Sequence, residues 1–221
     1  MKVDLNYSPS KIVCVGRNYS DHAKELGNEV PAAPLLFLKA PSAVIRSGDP
    51  IVIPSQSSQA EHEGELAIVI AKDCKNLTDD DNPFDYVLGY TCLNDVTARD
   101  VQRADVQFTR GKSFDTFCPI GPHLETDLDV SDLRVTTAVN GVIKQDARTS
   151  QMVFPVDFLI RYISRQMTLK TGDIIATGTP AGVSKLNPGD TCEVSIEGIG
   201  ILSNPVTAEN REPFVSDSAM N

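Results

Sequence analysis

Glu63 and Glu65 stand two residues apart in the run Glu61-His62-Glu63-Gly64-Glu65, which leads into Leu66-Ala67-Ile68-Val69-Ile70. If the run is extended, side chains alternate and both carboxylates point to one side. Ala67 and Val69 continue that side, and Leu66, Ile68 and Ile70 take the other. Both faces are apolar, so the pattern predicts a buried strand with two acids at its entrance. Two buried like charges repel and lose hydration. A divalent cation removes both penalties, and carboxylate oxygens suit magnesium, calcium or manganese. The competing reading is a solvated strand end. Asp95 is a third acid, at the end of a second apolar run, Tyr86 to Leu93. It can join the first two, or it can cap a helical turn that starts there.

Other residues offer proton transfer and anion binding. Ser20 reads as an N-cap, Asp21 sits in the first turn, and Gly27 stops a short helix. His22 and Glu25, three apart, share a face of it. A histidine oriented by a carboxylate can serve as a general base near neutral pH; the same pair can be an exposed ion pair. Between Gly27 and the Pro31–Pro34 segment, the helix could move as a lid. Lys112 lies in a predicted loop, Arg110 to Pro119, where it can bind an anionic substrate or merely be solvated. The hydroxyls and amides of Thr177-Gly178-Thr179-Pro180 could hold a carboxylate.

The positioning elements are mostly strands. Lys11 to Gly16 and Pro34 to Lys39 read as short strands, and a Gly-Asp turn precedes a β run three times, at Gly48-Asp49, Gly172-Asp173 and Gly189-Asp190. Asn140-Gly141 between Val135–Val139 and Val142-Ile143 predicts a type I′ hairpin, and Glu197-Gly198 closes another. Asp73 to Pro83 reads as an acidic surface loop, and Val96 to Gln107 as helical turns carrying Arg99, Gln102 and Arg103. Pro155 to Met167 is the clear amphipathic helix, with Val156, Leu159, Ile160, Ile163 and Met167 as its buried stripe and Pro155 in its first turn.

The chain has 221 residues, 41% of them hydrophobic, enough for one large domain. Its net charge of −10 argues against nucleic acid and against anionic membrane surfaces as partners. Five scattered cysteines without a CxxC pair suggest reduced thiols in a cytoplasmic protein. No signal peptide or membrane-spanning run is legible.

Five segments together resemble the fumarylacetoacetate hydrolase family, its small single-domain members above all. They are Val15-Gly16-Arg17-Asn18-Tyr19-Ser20-Asp21-His22, His62-Glu63-Gly64-Glu65-Leu66-Ala67, Asn94-Asp95-Val96-Thr97-Ala98-Arg99-Asp100, Gly111-Lys112-Ser113-Phe114-Asp115 and Thr177-Gly178-Thr179-Pro180. The resemblance spans roughly Lys11 to Val206. It implies a mixed α/β, predominantly β fold, a barrel-like sheet roll with few short helices, over residues 1–207, with a polar tail at 208–221, and a homodimer. It implies Mg2+ or Mn2+ on Glu63, Glu65 and Asp95, and His22 and Glu25 as a dyad that activates water or moves protons. Lys112 joins that dyad in the implied catalytic set, and Arg17, Arg99, Gln102 and Thr179 match substrate-contacting positions. His62 is left structural. The implied substrate is a small 2-oxo acid reacting through an enolate. Acylpyruvate C–C hydrolysis is placed ahead of oxaloacetate enol–keto tautomerisation, and decarboxylation third. A larger amino-terminal domain found in true fumarylacetoacetate hydrolases has no counterpart in this sequence. Two other classes compete. A non-catalytic β-barrel with a structural ion would leave His22, Glu25 and Lys112 idle. A cupin would need a histidine cluster that His22, His62 and His123 do not form.

Overall fold

The computed structural model describes residues 2–3 and 9–210. The architecture is predominantly β with few short helices, as expected. One eight-stranded sheet runs in the order β1 (Lys2–Val3), β10 (Cys118–Glu125), β8 (Val87–Asn94), β7 (Gly64–Ile70), β13 (Ile174–Ala176), β2 (Ile12–Gly16), β3 (Leu35–Lys39), with β4 (Val44–Arg46) also paired to β10. A five-stranded sheet follows the order β12 (Val142–Arg148), β11 (Arg134–Val139), β14 (Thr191–Ile196), β15 (Gly200–Ala208), β5 (Ile51–Ile53). A small ribbon joins β6 (Ala60–Glu61) to β9 (Thr97–Ala98). Pairing is mixed: β13–β2, β10–β4 and β15–β5 are parallel, and the rest are antiparallel.

All seven residues of β7 are buried, which is why its sequence is apolar on both faces. Leu66, Ile68 and Ile70 enter the larger core with β11, β14 and α4 (Val156–Gln166). Ala67 and Val69 enter a second core cluster with Cys14, Leu93, Cys118 and Ile120. Glu65 falls on that second side by alternation. Leu159, Ile160 and Ile163 of α4 are completely buried; each such side chain contributes about 1.5–3 kcal/mol.

The three Gly-Asp turns share one device. Gly48, Gly172 and Gly189 have φ of 93°, 83° and 94°, the position a type II turn reserves for glycine. In each, the aspartate carboxylate accepts the backbone N–H three residues back: Arg46 to Asp49 at 2.8 Å, Lys170 to Asp173 at 2.7 Å, Asn187 to Asp190 at 2.7 Å. The Asn140-Gly141 hairpin forms as predicted, with both φ angles positive. All five cysteines are buried and free. No helix among the described residues is long and apolar enough to cross a membrane.

Several boundaries differ from expectation. Ser20 is the first residue of α1 (Ser20–Glu25), not its cap; Tyr19 takes that place, held extended by a bridge to Met152. Pro155 is likewise the N-cap of α4 and not in its first turn, and Met167 is its half-buried C-cap. Asp95 does not open a helix: β9 follows, and only then α2 (Arg99–Ala104). Lys112 ends a one-turn helix, α3 (Thr109–Lys112), and is buried, where a loop was expected. At the start of the segment expected as a tail, 208–221, Ala208 still belongs to β15 and Glu209 donates its N–H to the Ile53 carbonyl. Residues 211–221 lie outside the described part.

Candidate active site

One cavity of about 290 Å³ is lined by nine of the ten residues singled out from the sequence: Arg17, His22, Glu63, Glu65, Asp95, Arg99, Gln102, Lys112 and Thr179. The tenth, Glu25, stands behind His22, with Oε2 3.3 Å from Nδ1. Both its carboxylate oxygens also accept the Gly182 N–H at 3.1 Å. Leu35 and Phe37 of β3, with Leu26 and Phe108, supply apolar wall. A larger recess of about 660 Å³ lies near Tyr90 and Met152. Its acids Asp127, Asp129 and Asp157 are exposed, and it contains no histidine or lysine, so volume does not identify the site.

The acid cluster is assembled by two adjacent strands. Glu65 is on β7; Glu63 precedes that strand, and Asp95 follows β8. The pairing Gly64↔Asn94 sets them side by side. Asn94 Oδ1 accepts the Glu63 N–H at 2.9 Å, and Asp95 N–H donates to the Glu63 carbonyl at 2.8 Å. One oxygen from each of Glu63, Glu65 and Asp95 lies within 4.8 Å of the others, and all three residues are buried.

Cations fill much of the space around them. Lys112 Nζ donates to Glu63 Oε2 and Asp95 Oδ2, both at 2.7 Å, and lies 5.1 Å from the centre of the Phe37 ring. Lys39 Nζ donates to Asp95 Oδ1 at 2.6 Å and to the Val96 carbonyl at 3.1 Å. Arg99 is spent internally as well, on Glu61 Oε2 at 2.8 Å, Glu63 Oε1 at 2.5 Å and Gln102 Oε1 at 2.7 Å. Arg99 therefore orients Glu63 and Gln102. Thr179 Oγ1 is similarly occupied, donating to the Gly64 carbonyl at 3.0 Å and accepting Gln145 Nε2 at 2.7 Å.

Four buried carboxylates, Glu61, Glu63, Glu65 and Asp95, thus face three buried cations, Lys39, Arg99 and Lys112. The excess charge sits on Glu65, which accepts the Gly178 N–H at 2.7 Å and has no cation bonded to it among the described residues. Burial, then the charges of Asp95 and Glu63, push the Glu65 carboxyl well above the usual carboxylate range. Burial also acts to raise Glu63, but the Lys112 and Arg99 charges outweigh it and hold that carboxyl far below the range. Burial acts to lower the Lys112 ammonium, and Asp95 and Glu63 overcome it and raise it. A hard divalent cation fits this donor set: three oxygens converge, and one carboxylate lacks a counter-charge.

A pH dependence follows. In cation-free protein Glu65 holds its proton above the unfolded value of about 4.3, so its contribution to stability falls as pH rises past that point. Glu63 contributes in the opposite sense; its stabilisation is present above about pH 4.3 and is lost only as pH falls through its depressed value. A divalent cation bound there must displace the Glu65 proton, so affinity, probed with magnesium, is expected to weaken as pH falls, by at most about tenfold per pH unit. Titration calorimetry in buffers of different ionisation enthalpy reads both the affinity and the released proton. A pH-independent affinity would rule Glu65 out as a ligand.

The Thr177–Pro180 loop does hold a carboxylate, but it is Glu65's own. Gly178 has φ 101°, and a Cβ there would stand 2.7 Å from Asn18 Cβ and 2.9 Å from the Val15 carbonyl oxygen. Gly178→Ala is expected to cost about 1–3 kcal/mol in urea denaturation and to weaken magnesium binding by shifting the Glu65 donor. Wild-type stability in that variant would contradict the tight packing.

Sequence reasoning missed Lys39, Glu61, Asn94 and Gln145. Gln145 Oε1 accepts the Gly64 N–H at 3.0 Å and lies 3.1 Å from His62 Nδ1, while Ser184 bonds the other ring nitrogen at 2.8 Å, which leaves His62 structural. Lys39 carried a readable signal: it closes the apolar run Leu35-Leu36-Phe37-Leu38 in phase with the cavity-lining Leu35 and Phe37. Glu61 also stands in alternation with Glu63 and Glu65, and Asn94 directly precedes Asp95, but the partners that give them their roles, and Gln145 itself, come from elsewhere in the chain.

Residues 11–207 match the fumarylacetoacetate (FAA) hydrolase C-terminal family. The oxaloacetate tautomerase YisK of Bacillus subtilis is 44% identical over 90% of this chain and 70% of its own length. A mitochondrial oxaloacetate decarboxylase of Dictyostelium discoideum is 46% identical over 86% of this chain and 89% of its own. The crystal structure of a 5-carboxymethyl-2-hydroxymuconate delta-isomerase from Mycobacterium smegmatis superposes with a TM-score of 0.86 at 46% identity, covering 92% of this chain and 81% of that one. The chain is a member of the fumarylacetoacetate hydrolase family and carries that family's enzyme fold.

Proposed function

We propose that the chain interconverts the enol and keto forms of a small 2-oxo acid of the oxaloacetate type, with a divalent cation, magnesium or manganese, held by Glu63, Glu65 and Asp95. The observation that carries this reading is that His22, a proton-transfer group oriented by Glu25, lines the same 290 Å³ cavity as the acid cluster. That volume is at the lower edge of the usual range for small-molecule sites, which suits a compact acid. The names of the relatives support tautomerisation and decarboxylation of oxaloacetate better than the acylpyruvate hydrolysis placed first from the sequence.

When bound, the cation would act as a Lewis acid on the carboxylate and 2-oxo end of the substrate. His22 is placed to move the proton: it accepts one as the enol O–H is lost and returns one to C3, so that the two forms are isomers and nothing is oxidised or hydrolysed. Glu25 fixes the ring and faces the imidazolium formed between the two steps. Lys112 is the ammonium beside Glu63 and Asp95 that offsets negative charge at the reacting end. Gln102, with its Oε1 held by Arg99, turns its amide N–H groups toward a substrate oxygen. Loss of carbon dioxide would start instead from the keto form: the C3–C4 bond breaks, its electron pair stays on the enolate of pyruvate, and C3 then takes up a proton; the decarboxylase relative supports that as a second reading. A homodimer in solution completes the proposal.

The test is metal-stripped protein with magnesium restored, given enol-oxaloacetate. Enol absorbance and pyruvate release are followed separately, with acetylpyruvate as a parallel substrate. Fast magnesium-dependent enol loss without pyruvate supports the tautomerase. Pyruvate from oxaloacetate means decarboxylation; pyruvate from acetylpyruvate means C–C hydrolysis.

A further inference from the structure

We propose that the recess beside Tyr90 and Met152 is a second ligand site, built for a small organic cation whose ammonium group is carried on an apolar body. It holds about 660 Å³, against about 290 Å³ for the candidate active site, and falls within the usual range for small-molecule sites. Its inner surface is apolar, from Val87 of β8, Val130, Met152 and Val156 of α4, with the exposed ring of Phe84 at one side. Charge at the rim has one sign. Asp127, Asp129 and Asp157 line the recess, and among the described residues no lysine, arginine or histidine does. None of the three acids is in an ion pair with a described residue, and all three are exposed.

An acidic rim alone would merely be solvated. The observation that points to a ligand is Tyr90. Only 5% of this residue is exposed, it lines the recess, and its hydroxyl has no hydrogen-bond partner among the described residues. Buried polar groups are ordinarily bonded, so this hydroxyl needs a partner from outside. Burial, then the negative charge of Asp129, push the phenol up to about 12, so it stays neutral near pH 7 and senses that carboxylate. One ammonium can donate to the Tyr90 oxygen and to Asp129 while its apolar body covers Val87, Met152 and Val156. The same field repels the anionic acids proposed for the other cavity, so the recess is not a second seat for substrate. Its walls are also fixed before a ligand arrives. Thr149 Oγ1 donates to the Val130 carbonyl at 2.7 Å and accepts the Leu133 N–H at 2.8 Å. Met152 bridges to Tyr19, and the N–H groups of Val153 and Phe154 donate to the carbonyl and Oδ1 of Asn18, both at 2.8 Å. A preformed wall spares the ligand the cost of ordering it.

The test titrates the full chain, with magnesium present, by calorimetry with three probes of one shape: tryptamine (cation), tryptophol (neutral) and indole-3-propionate (anion). Tryptamine is expected to bind about tenfold or more tighter than tryptophol at low salt, the margin shrinking as salt is added, and indole-3-propionate is expected not to bind. The variant D127N/D129N/D157N alters only exposed side chains. It should bind tryptophol as wild type does, with the margin for tryptamine cut to within about threefold. Y90F should keep the wild-type melting temperature, because the hydroxyl bonds no described group in the free protein, and should weaken tryptamine by about 2–10-fold, the worth of one hydrogen bond. E65Q should bind tryptamine as wild type does; loss of binding there would put the cation in the acid cluster and overturn the proposal. Equal affinity for amine and alcohol, or a margin that survives the three asparagines, would overturn it too. Binding of a Lys- and Leu-rich peptide with none of tryptamine would make the recess a protein-docking surface, which is likewise a refutation.

Discussion

Replacing His22 by alanine is expected to lower kcat by about 10²–10⁴-fold, the range for loss of a general acid–base group, and to leave magnesium affinity unchanged. The ring is buried in the cavity wall, and its Nδ1 is engaged by Glu25 at 3.3 Å, so Nε2 is the nitrogen left for the substrate. It is not one of the three converging oxygen ligands, which lie on β7 and at the facing ends of β7 and β8. Enol-oxaloacetate kinetics with parallel calorimetry separate the two effects. Unchanged turnover would make the dyad an idle ion pair, and a loss of magnesium binding would place His22 among the cation's supports. Glu25→Gln keeps an acceptor for the Gly182 N–H and should cost less than His22→Ala.

Lys39→Met is expected to lower the free energy of unfolding of metal-free protein by about 3–5 kcal/mol, the range for removing one member of a buried ion pair. The Lys39 side chain is fully inaccessible, and its ammonium bonds Asp95 Oδ1 and the Val96 carbonyl. Methionine fills the same volume but strands both acceptors, with Lys112 left to serve Asp95 alone. Urea denaturation with and without magnesium reads the effect, and part of the loss should be recovered by the cation, which supplies the missing positive charge. A change below about 1 kcal/mol would mean that Lys112 alone satisfies Asp95. K39M combined with D95N should be less unstable than K39M alone, because the second change removes the stranded charge.

The acid cluster was legible because two of its members lie two apart on one strand, and alternation fixes their common side. Asp95 was legible as an acid at a strand end, but its pairing register with Glu63 was not, since that depends on which strands become neighbours. The amphipathic α4 and the Asn-Gly hairpin were readable from local periodicity and turn chemistry. Sheet order was not. β2 pairs in parallel with β13, about 160 residues away, and no local pattern encodes that choice. Separation in sequence also hid Gln145, which bonds Gly64, and hid the role of Glu61, whose partner Arg99 lies on another element. Local pattern put Lys112 in a loop, with anion binding and solvation both open, because α3 is a single turn, too short for a periodicity that would have shown its inward face.

The place of β13 bears on how the chain is made. It inserts between β7 and β2, both synthesised far earlier. Until Ile174–Ala176 leave the ribosome, those two strands present unpaired edges, and Glu65 lacks the Gly178 amide that steadies it. Strand pairings of such long sequence separation form slowly, and open edges invite association with other chains. A nascent chain truncated before β13 should be bound by chaperones that a chain extended past Ala208 no longer needs. The capacity to hold a cation should appear late in synthesis and abruptly, once that one short strand has closed the sheet.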